Sequence, residues 1–176
     1  MKTIIELFET SVEKYPGNIY LWQKENGEYK GTTYRQTRDE VLKFAAGLLV
    51  LGIKKGDRLG LVSEGRNQWI ISELGILYAG AINVPLSVKL DEAAELRFRL
   101  AHSGSRMIIV SARQADKIEA IRNDLPDLEK VIYLDPKENP GENDIQYSTI
   151  IELGEKYMET NRTDLENIYK NIQPND

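Results

Sequence analysis

Residues 51–62 read LGIKKGDRLGLV, and residues 77–86 read LYAGAINVPL. In both segments a glycine ends a helical pattern, and a short run of apolar residues follows. The run Leu59–Val62 contains no polar side chain, which favours a strand covered on both faces, as in a parallel sheet. In the second segment Gly80 lets the helix end tightly against the strand, and Pro85 closes that strand where no ladder donor is needed. Together the two segments predict an α/β fold with a mostly parallel sheet flanked by helices.

Strand and helix patterns alternate around these two segments. They recur about every 25 residues, which is the period of βαβ units. Asn67 and Asp91 stand at the starts of two helical patterns and are the expected N-caps. The predicted strands are Leu59–Val62, Ala81–Val84, Met107–Val110 and Val131–Leu134, and the predicted helices cover residues 67–78, 91–104, 114–123, 147–160 and 164–171.

The N-terminal part of the chain has a different pattern. Apolar residues recur at helical spacing over residues 4–14, and two β-rich runs at 19–23 and 29–34 flank an Asn26-Gly27 pair. An Asn-Gly pair between such runs is a strong signal for a β-hairpin, because both residues tolerate positive φ. Thr33 and Gln36 have the spacing of a capping box, which predicts that a helix begins after Thr33.

These patterns divide the chain into three expected regions. Residues 1–34 form an N-terminal helix and β-hairpin, and residues 35–135 form the parallel α/β subdomain. Residues 136–176 form a polar loop and a helical linker. The loop begins with the segment Asp135–Asp144, DPKENPGEND, which is polar and rich in Pro and Gly.

The composition limits what the chain can bind. Its 23 Lys and Arg against 28 Asp and Glu give a net charge of −5, which argues against a nucleic-acid partner. The sequence has no cysteine and a single histidine, which excludes thiolate metal sites, Cys nucleophiles and His-cluster metal sites. A length of 176 residues fits one domain or slightly more.

No targeting or membrane segment is recognisable. The N-terminal segment MKTIIELFETSVEKYP contains Glu6, Glu9 and Glu13, which interrupt it too often for a secretory signal. The most apolar stretch, Trp69–Val88, includes Glu73 and is too broken for a membrane span. We therefore expect a cytoplasmic protein.

Strand-to-helix turns are where a parallel sheet binds nucleotides, but no Walker loop or Gly-x-Gly-x-x-Gly fingerprint follows any predicted strand. The turn Ser63–Asn67 has one glycine, and Glu64 would repel an anion there. The turn Ser103–Arg106 places Gly104 where a helix stop needs it. We interpret both as ordinary turns. The sequence thus predicts no catalytic, cofactor-binding or metal-binding residue.

The single histidine and the helical aromatic residues also have structural explanations. His102 lies in the last turn of a helix, where the helix dipole favours a cation, and no partner suggests catalysis. Trp69, Tyr78 and Phe98 fall at inward helical spacing, which predicts that they lie in the core.

Several segments resemble the adenylate-forming acyl-CoA synthetases, specifically the long-chain fatty acid–CoA ligases. The similarity runs from about residue 3 to the end of the chain, and it rests on two motifs a helix apart. The segments that carry it are Thr33-Tyr34, Ala46–Leu49, Leu51–Leu59 (LGIKKGDRL), Asn67–Trp69 and Leu77–Leu86 (LYAGAINVPL). Both motifs are scaffold motifs, so the resemblance transfers no catalytic residue.

The resemblance implies the activity of an ATP-dependent ligase. In this family a fatty acid carboxylate attacks the α-phosphate of ATP, giving an acyl-adenylate and pyrophosphate, and the thiol of CoA then displaces AMP, with Mg²⁺ neutralising phosphate charge. The family's Ser/Thr/Gly-rich phosphate loop ending in Pro-Lys-Gly, its Tyr-x-x-Thr-Glu-type segment, its ribose-binding Asp and its C-terminal Lys do not occur here. The chain therefore resembles the N-terminal piece of such a ligase. We expect it to be inactive alone and to bind none of ATP, CoA or Mg²⁺.

The resemblance also bears on partners. The resemblance implies that the full-length enzyme binds a fatty acid substrate and is compatible with peripheral contact with a membrane. The piece alone would expose a strand edge and apolar area, so we expect it to self-associate. Two other functions stay open, namely a self-contained flavodoxin-like binding or interaction domain and a piece of an aryl-acid or amino-acid adenylating enzyme.

Two groups of side chains leave a choice between binding and packing. Four arginines lie in one short stretch, at Arg97, Arg99, Arg106 and Arg113. One interpretation is that they lie near a polyphosphate such as CoA. We favour the other, in which they pair with Glu92 and Glu95 on a helix surface. For Tyr20 and Trp22 the choice is between lining a groove and packing on the sheet, and both explain the pattern equally well.

Overall fold

The computed structural model describes residues 2–176. The elements are, in chain order, α1 (Ile4–Lys14), β1 (Ile19–Glu25), β2 (Glu28–Thr33), α2 (Tyr34–Val50), β3 (Arg58–Val62), α3 (Asn67–Tyr78), β4 (Ile82–Pro85), α4 (Ala93–Ser103), β5 (Ser105–Val110), α5 (Ala112–Glu119), a 3₁₀ turn (Arg122–Asp124), β6 (Lys130–Tyr133), β7 (Asp144–Gln146) and α6 (Tyr147–Lys170). None of the helices in this range is long and apolar enough to cross a membrane.

Five strands form one parallel sheet in the order β4-β3-β5-β6-β7, and β1 and β2 form a separate antiparallel hairpin. Alternate residues of the sheet enter two different cores. Leu59 and Ile109 pack with α1, α2, α3 and α6, whereas Ile108 and Val110 pack with α4 and α5. Helices thus cover both faces, and the predicted fold class is confirmed.

Local signals in the sequence placed several element boundaries correctly. Asn26 and Gly27 both have positive φ, at 50° and 90°, as the predicted hairpin turn requires. Thr33 and Gln36 exchange both hydrogen bonds of a capping box at the start of α2. Gly104 follows α4 in the left-handed conformation, and Pro85 is the last residue of β4.

Both predicted asparagine and aspartate caps are wrong. The N-cap of α3 is Arg66, because Asn67 is already helical and its side-chain Nδ2 donates instead to Thr32 Oγ1 of the hairpin at 3.2 Å. The N-cap of α4 is Glu92, because the Asp91 carboxylate accepts from Lys117 Nζ at 2.8 Å. In both cases a contact distant in sequence outcompetes the local cap.

The C-terminal region also differs from the expectation. The three-residue strand β7 pairs with β6, at the place where only the end of a loop was predicted. The two predicted helices form one element, α6, which contains non-helical dihedrals at Asn161 (φ −120°, ψ 22°). The predicted interruption after residue 160 is thus a kink within α6.

Helices α2 and α6 cross with their backbones in close contact. A Cβ atom on Gly154 of α6 would lie 1.7 Å from the carbonyl oxygen of Lys43 in α2, and one on Gly47 of α2 would lie 2.2 Å from the carbonyl oxygen of Ile150 in α6. A third glycine, Gly75 of α3, leaves room for the ring of Phe44, which is buried. The helix layer on this face of the sheet therefore depends on glycine at each close approach.

A partly buried polar cluster joins α1 to α6. The Glu9 carboxylate of α1 accepts from Arg38 Nε at 2.8 Å and from the hydroxyl of Tyr78 at 2.6 Å. Arg38 also donates to the hydroxyl of Tyr169 in α6, at 3.3 Å. Burial and the bond to Glu9 both raise the pKa of Tyr78, so its hydroxyl keeps the proton that it donates.

We predict that Gly154→Ala lowers the free energy of unfolding by about 3 kcal/mol, because the new methyl group forces the two helix backbones apart. Urea denaturation followed by circular dichroism measures the change. Gly17→Ala is the control, since a Cβ atom at Gly17 meets nothing within 4 Å. Equal stability of the two variants would contradict the close helix contact.

Candidate functional site

In a sheet of this topology, a ligand is expected to bind at the carboxyl ends of β3 and β5. The chain passes from β3 to its neighbour β4 on one side and then to β5 on the other side. The strand order therefore reverses between β3 and β5, and α/β sheets bind their ligands at such a switch point. The turn Ser63–Asn67 and the start of α5 meet here.

Glu64 fills this switch point. Its carboxylate accepts from the hydroxyl of Ser111 at 2.7 Å and from Nε2 of Gln114 at 2.6 Å. Partial burial opposes ionisation, but these two hydrogen bonds outweigh it and lower the pKa of Glu64 below its ordinary value. The ionised carboxylate therefore lies beside the N-terminus of α5, where an anionic ligand would otherwise be stabilised.

A second carboxylate, Asp135, joins the loops after β3, β5 and β6. It accepts from Arg66 Nη1 at 2.7 Å and from the backbone amide of Ala112 at 2.8 Å. Asn67, which follows Arg66 in the chain, is held to the hairpin because its backbone amide donates to Gln23 Oε1 at 2.8 Å. The Ser63–Asn67 turn is thus held on both sides.

The arrangement favours the interpretation of Ser63–Asn67 as an ordinary turn. Two negative charges, on Glu64 and Asp135, already satisfy donors at the start of α5, and a phosphate there would be repelled. One buried polar atom in this region, Oε1 of Gln114, has no hydrogen-bond partner. The prediction that the chain holds no catalytic or binding residue stays a prediction.

The other candidate turn and the histidine occupy structural positions. Ser103 and Ser105 share a hydrogen bond of 2.8 Å across Gly104. His102 stacks on Phe98 with ring centroids 5.5 Å apart. The prediction that Phe98 is a core residue is wrong, because its side chain is 64% exposed. It lies two residues from both Leu96 and Leu100, on the opposite side of the helix from these buried side chains.

Three of the four arginines have carboxylate partners, and only one of these is a predicted partner. Arg99 pairs with Glu95 at 2.5 Å, as expected, but Arg97 lies 3.7 Å from Asp124 instead of pairing with Glu92. Arg106 pairs with Asp57 and with Glu129, neither of which was a predicted partner. For Arg113, an exposed residue, the described part of the chain shows no ion pair.

Asp144 lies in a dense cluster of ion pairs that no sequence pattern predicted. The Asp144 side chain is 1% exposed and accepts from Lys137 Nζ at 2.6 Å and from Arg122 Nη1 at 2.8 Å. Burial opposes its ionisation, but these bonds and the amide of Gly141 lower its pKa from 3.8 to about 2. The cluster fixes the loop before β7 to β6 and α5.

Among residues 2–176, no group of three or more His, Cys, Asp or Glu side chains is placed to hold a metal ion. Glu64 and Asp135 are separately engaged with protein donors. The residues present therefore do not fit the Mg²⁺ ion that the family resemblance implies, and this part of the chain offers no step through it.

Comparison with known proteins identifies the family. The family model described as "AMP-binding enzyme" matches residues 8–168. The chain belongs to the AMP-binding enzyme family. The match includes every strand of the parallel sheet and nearly all of α6.

The curated relatives compared with this chain are named as acyl-activating ligases. A long-chain-fatty-acid–CoA ligase of Xenopus laevis is 25% identical over 98% of this chain and 23% of its own length. A chloroplastic long-chain-fatty-acid–acyl-carrier-protein ligase of Arabidopsis thaliana is 32% identical over 62% of this chain and 15% of its own length. The chain thus spans less than a quarter of these two curated relatives.

Solved structures share the fold. An anthranilate CoA ligase crystallised with anthranoyl-AMP has a TM-score of 0.75 and 26% identity, covering 84% of this chain and 27% of that one. The coronafacic acid ligase of Pectobacterium brasiliense has a TM-score of 0.76 and 24% identity, covering 84% of this chain and 29% of that one. The fold is therefore that of part of an adenylate-forming ligase, as expected.

We predict that Asp144→Asn destabilises the chain by about 2 kcal/mol at pH 7, since each unit of pKa shift corresponds to about 1.4 kcal/mol. The folded pKa of about 2 lies below the ordinary 3.8, so this stabilisation is complete above about pH 5 and is lost as the pH falls through 4 toward 2. Unfolding by urea at several pH values measures it. Asp127→Asn, at an exposed carboxylate, serves as the control, and an equal effect of both variants would contradict the prediction.

We predict that Asp135→Ala lowers the free energy of unfolding by about 1–2 kcal/mol, because the Arg66 guanidinium and the Ala112 amide both lose their acceptor. Hydrogen exchange at the start of α5 should become faster in the same variant. Glu138→Ala, at an exposed residue of the same loop, should change neither quantity. Unchanged exchange at Ala112 in Asp135→Ala would exclude the role of this carboxylate.

Proposed function

We propose that the chain is the N-terminal structural part of an ATP-dependent fatty acid–CoA ligase. The observation that carries the proposal is the family match over residues 8–168, joined to curated relatives named as long-chain-fatty-acid ligases. The reaction proposed for the whole enzyme has two steps. The fatty acid carboxylate attacks the α-phosphorus of ATP and releases pyrophosphate, and the CoA thiol then attacks the acyl carbonyl and releases AMP.

In this proposal the chain supplies scaffold and no catalytic residue. At the switch point of the sheet, where a nucleotide would be expected, Glu64 and Asp135 accept hydrogen bonds from the protein itself. Among the described residues, no group of three or more His, Cys, Asp or Glu side chains is placed there to hold a metal ion. ATP, CoA and Mg²⁺ would act in the full-length enzyme, and the isolated chain would be inactive.

An aryl-acid substrate is the second candidate. It is favoured by the anthranilate CoA ligase, which shares the fold at 26% identity. The family match makes the flavodoxin-like binding domain the weaker alternative, because it accounts for residues 8–168 as part of a ligase. A cytoplasmic location and peripheral membrane contact of the whole enzyme also stay predictions.

We predict that a chimera in which this chain replaces the matching segment of the Xenopus laevis ligase retains fatty-acid-dependent AMP formation. The two segments are 25% identical and align over 98% of this chain, so the scaffold should support the remaining enzyme. The assay measures AMP release with ATP, Mg²⁺, CoA and either a long-chain fatty acid or anthranilate. The isolated chain, assayed in parallel, should release none.

The same chimera carrying Gly154→Ala provides the matched control, because the substitution disturbs the α2–α6 contact and touches no substrate. A folded chimera without activity would contradict the scaffold role. Activity of the isolated chain would also contradict it, and a preference for anthranilate would favour the aryl-acid alternative.

A further inference from the structure

The turn at the tip of the β1–β2 hairpin consists of two exposed residues, Asn26 and Gly27. A Cβ atom on Gly27 would meet nothing within 4 Å, so the tip has free space around it. The two strands form a sheet of their own, and a two-stranded hairpin by itself is only marginally stable in water. The tip can therefore open locally without disturbing the parallel sheet.

This turn contains the one Asn-Gly pair of the sequence. Glycine has no Cβ atom, so it leaves the peptide group between the two residues unshielded. Among the turn and loop contacts of residues 2–176, the backbone amide of Gly27 has no carbonyl acceptor. Its nitrogen is consequently free to turn toward the side-chain amide of Asn26.

The three Asn-Asp pairs of the chain provide a comparison, because their backbone amides are held. Each aspartate amide donates to the carbonyl three residues earlier, Asp124 to Ile121 at 2.9 Å, Asp144 to Gly141 at 3.1 Å and Asp176 to Gln173 at 3.0 Å. A held amide must break its hydrogen bond before its nitrogen can approach the preceding side chain. The amide of Gly27 carries no such restraint.

We infer that Asn26 is a site of spontaneous conversion to aspartate and isoaspartate. When the tip opens, Asn26 leaves its left-handed conformation of φ 50°, and the Gly27 nitrogen attacks Cγ of Asn26 and gives up its proton. The side-chain amide leaves as ammonia, and a five-membered cyclic imide remains. Water then adds to the ring. Cleavage between Cγ and the nitrogen gives aspartate, and cleavage between the main-chain carbonyl carbon and the nitrogen gives isoaspartate.

The isoaspartate form changes the hairpin itself, because the main chain of residue 26 then runs through Cβ and the turn gains one backbone atom. A two-residue turn fixes the register of its strands, so the longer turn weakens the β1–β2 pairing. Gln23 and Thr32 of this pairing accept the two hydrogen bonds that Asn67 donates to the hairpin. Isoaspartate at the tip therefore loosens the hold on the Ser63–Asn67 turn at the switch point. The inference does not depend on the proposed enzymatic function.

Ageing of the purified chain in warm, mildly alkaline buffer tests the site. Trypsin releases the peptide Glu25–Lys30, in which Asn26 is the one asparagine, and chromatography with mass spectrometry separates its aspartyl and isoaspartyl forms. We expect conversion at Asn26 to be about tenfold or more faster than at Asn143, an exposed residue whose following amide is held. If Asn26 stays intact, or is converted no faster than Asn143, the inference is overturned.

Hydrogen exchange at the Asn67 amide measures the structural consequence, since this amide donates to Gln23. We expect faster exchange in the isoaspartyl fraction of the aged chain than in fresh protein. Fresh Asn26→Asp carries the added charge with a normal main chain, and Asn26→Gly keeps a turn-forming residue without a side-chain amide. Both should keep the slow exchange, and circular dichroism verifies that they fold. Unchanged exchange at Asn67 in an isoaspartyl sample would overturn the link to the switch point.

Discussion

The contact between the backbones of α2 and α6 is the constraint on which the rest of this structure depends. Gly154 allows the carbonyl of Lys43 to approach so closely that no side chain fits between the helices. The crossing places Ile150 and Leu165 over the core formed by α2 and the sheet. Without it, the core on this face of the sheet would lose the side chains that α6 contributes.

The sheet in turn determines what its carboxyl edge can do. Glu64 and Asp135 hold three loops together with hydrogen bonds that a ligand would have to replace. The two carboxylates at this edge are thus already engaged with protein donors. The role proposed for this edge is that of a firm wall for chemistry that other parts of the polypeptide would perform.

Local and periodic signals predicted the fold well, and contacts between distant residues account for what they missed. Asn26-Gly27, Thr33 with Gln36, and Gly104 each act through their own neighbours, and each was placed correctly. From the sequence alone, Gly154 is only a weak helix former. The reason for a glycine there is its contact with α2, a helix more than a hundred residues earlier in the chain. The short strand β7 is three residues long and partly polar, so it carries no period that could be recognised. For the candidate site, the Arg66–Asp135 pair spans 69 residues and leaves no local trace.

The link between Glu9 and Tyr169 through Arg38 has a consequence for how the chain is made. A ribosome releases α1 long before α6, so Arg38 gains the Tyr169 hydroxyl as an acceptor only after residue 169 has emerged. Until then the Arg38 guanidinium lacks one acceptor and the surrounding apolar side chains lack their cover. This part of a nascent chain should consequently complete its tertiary structure only after α6 has emerged.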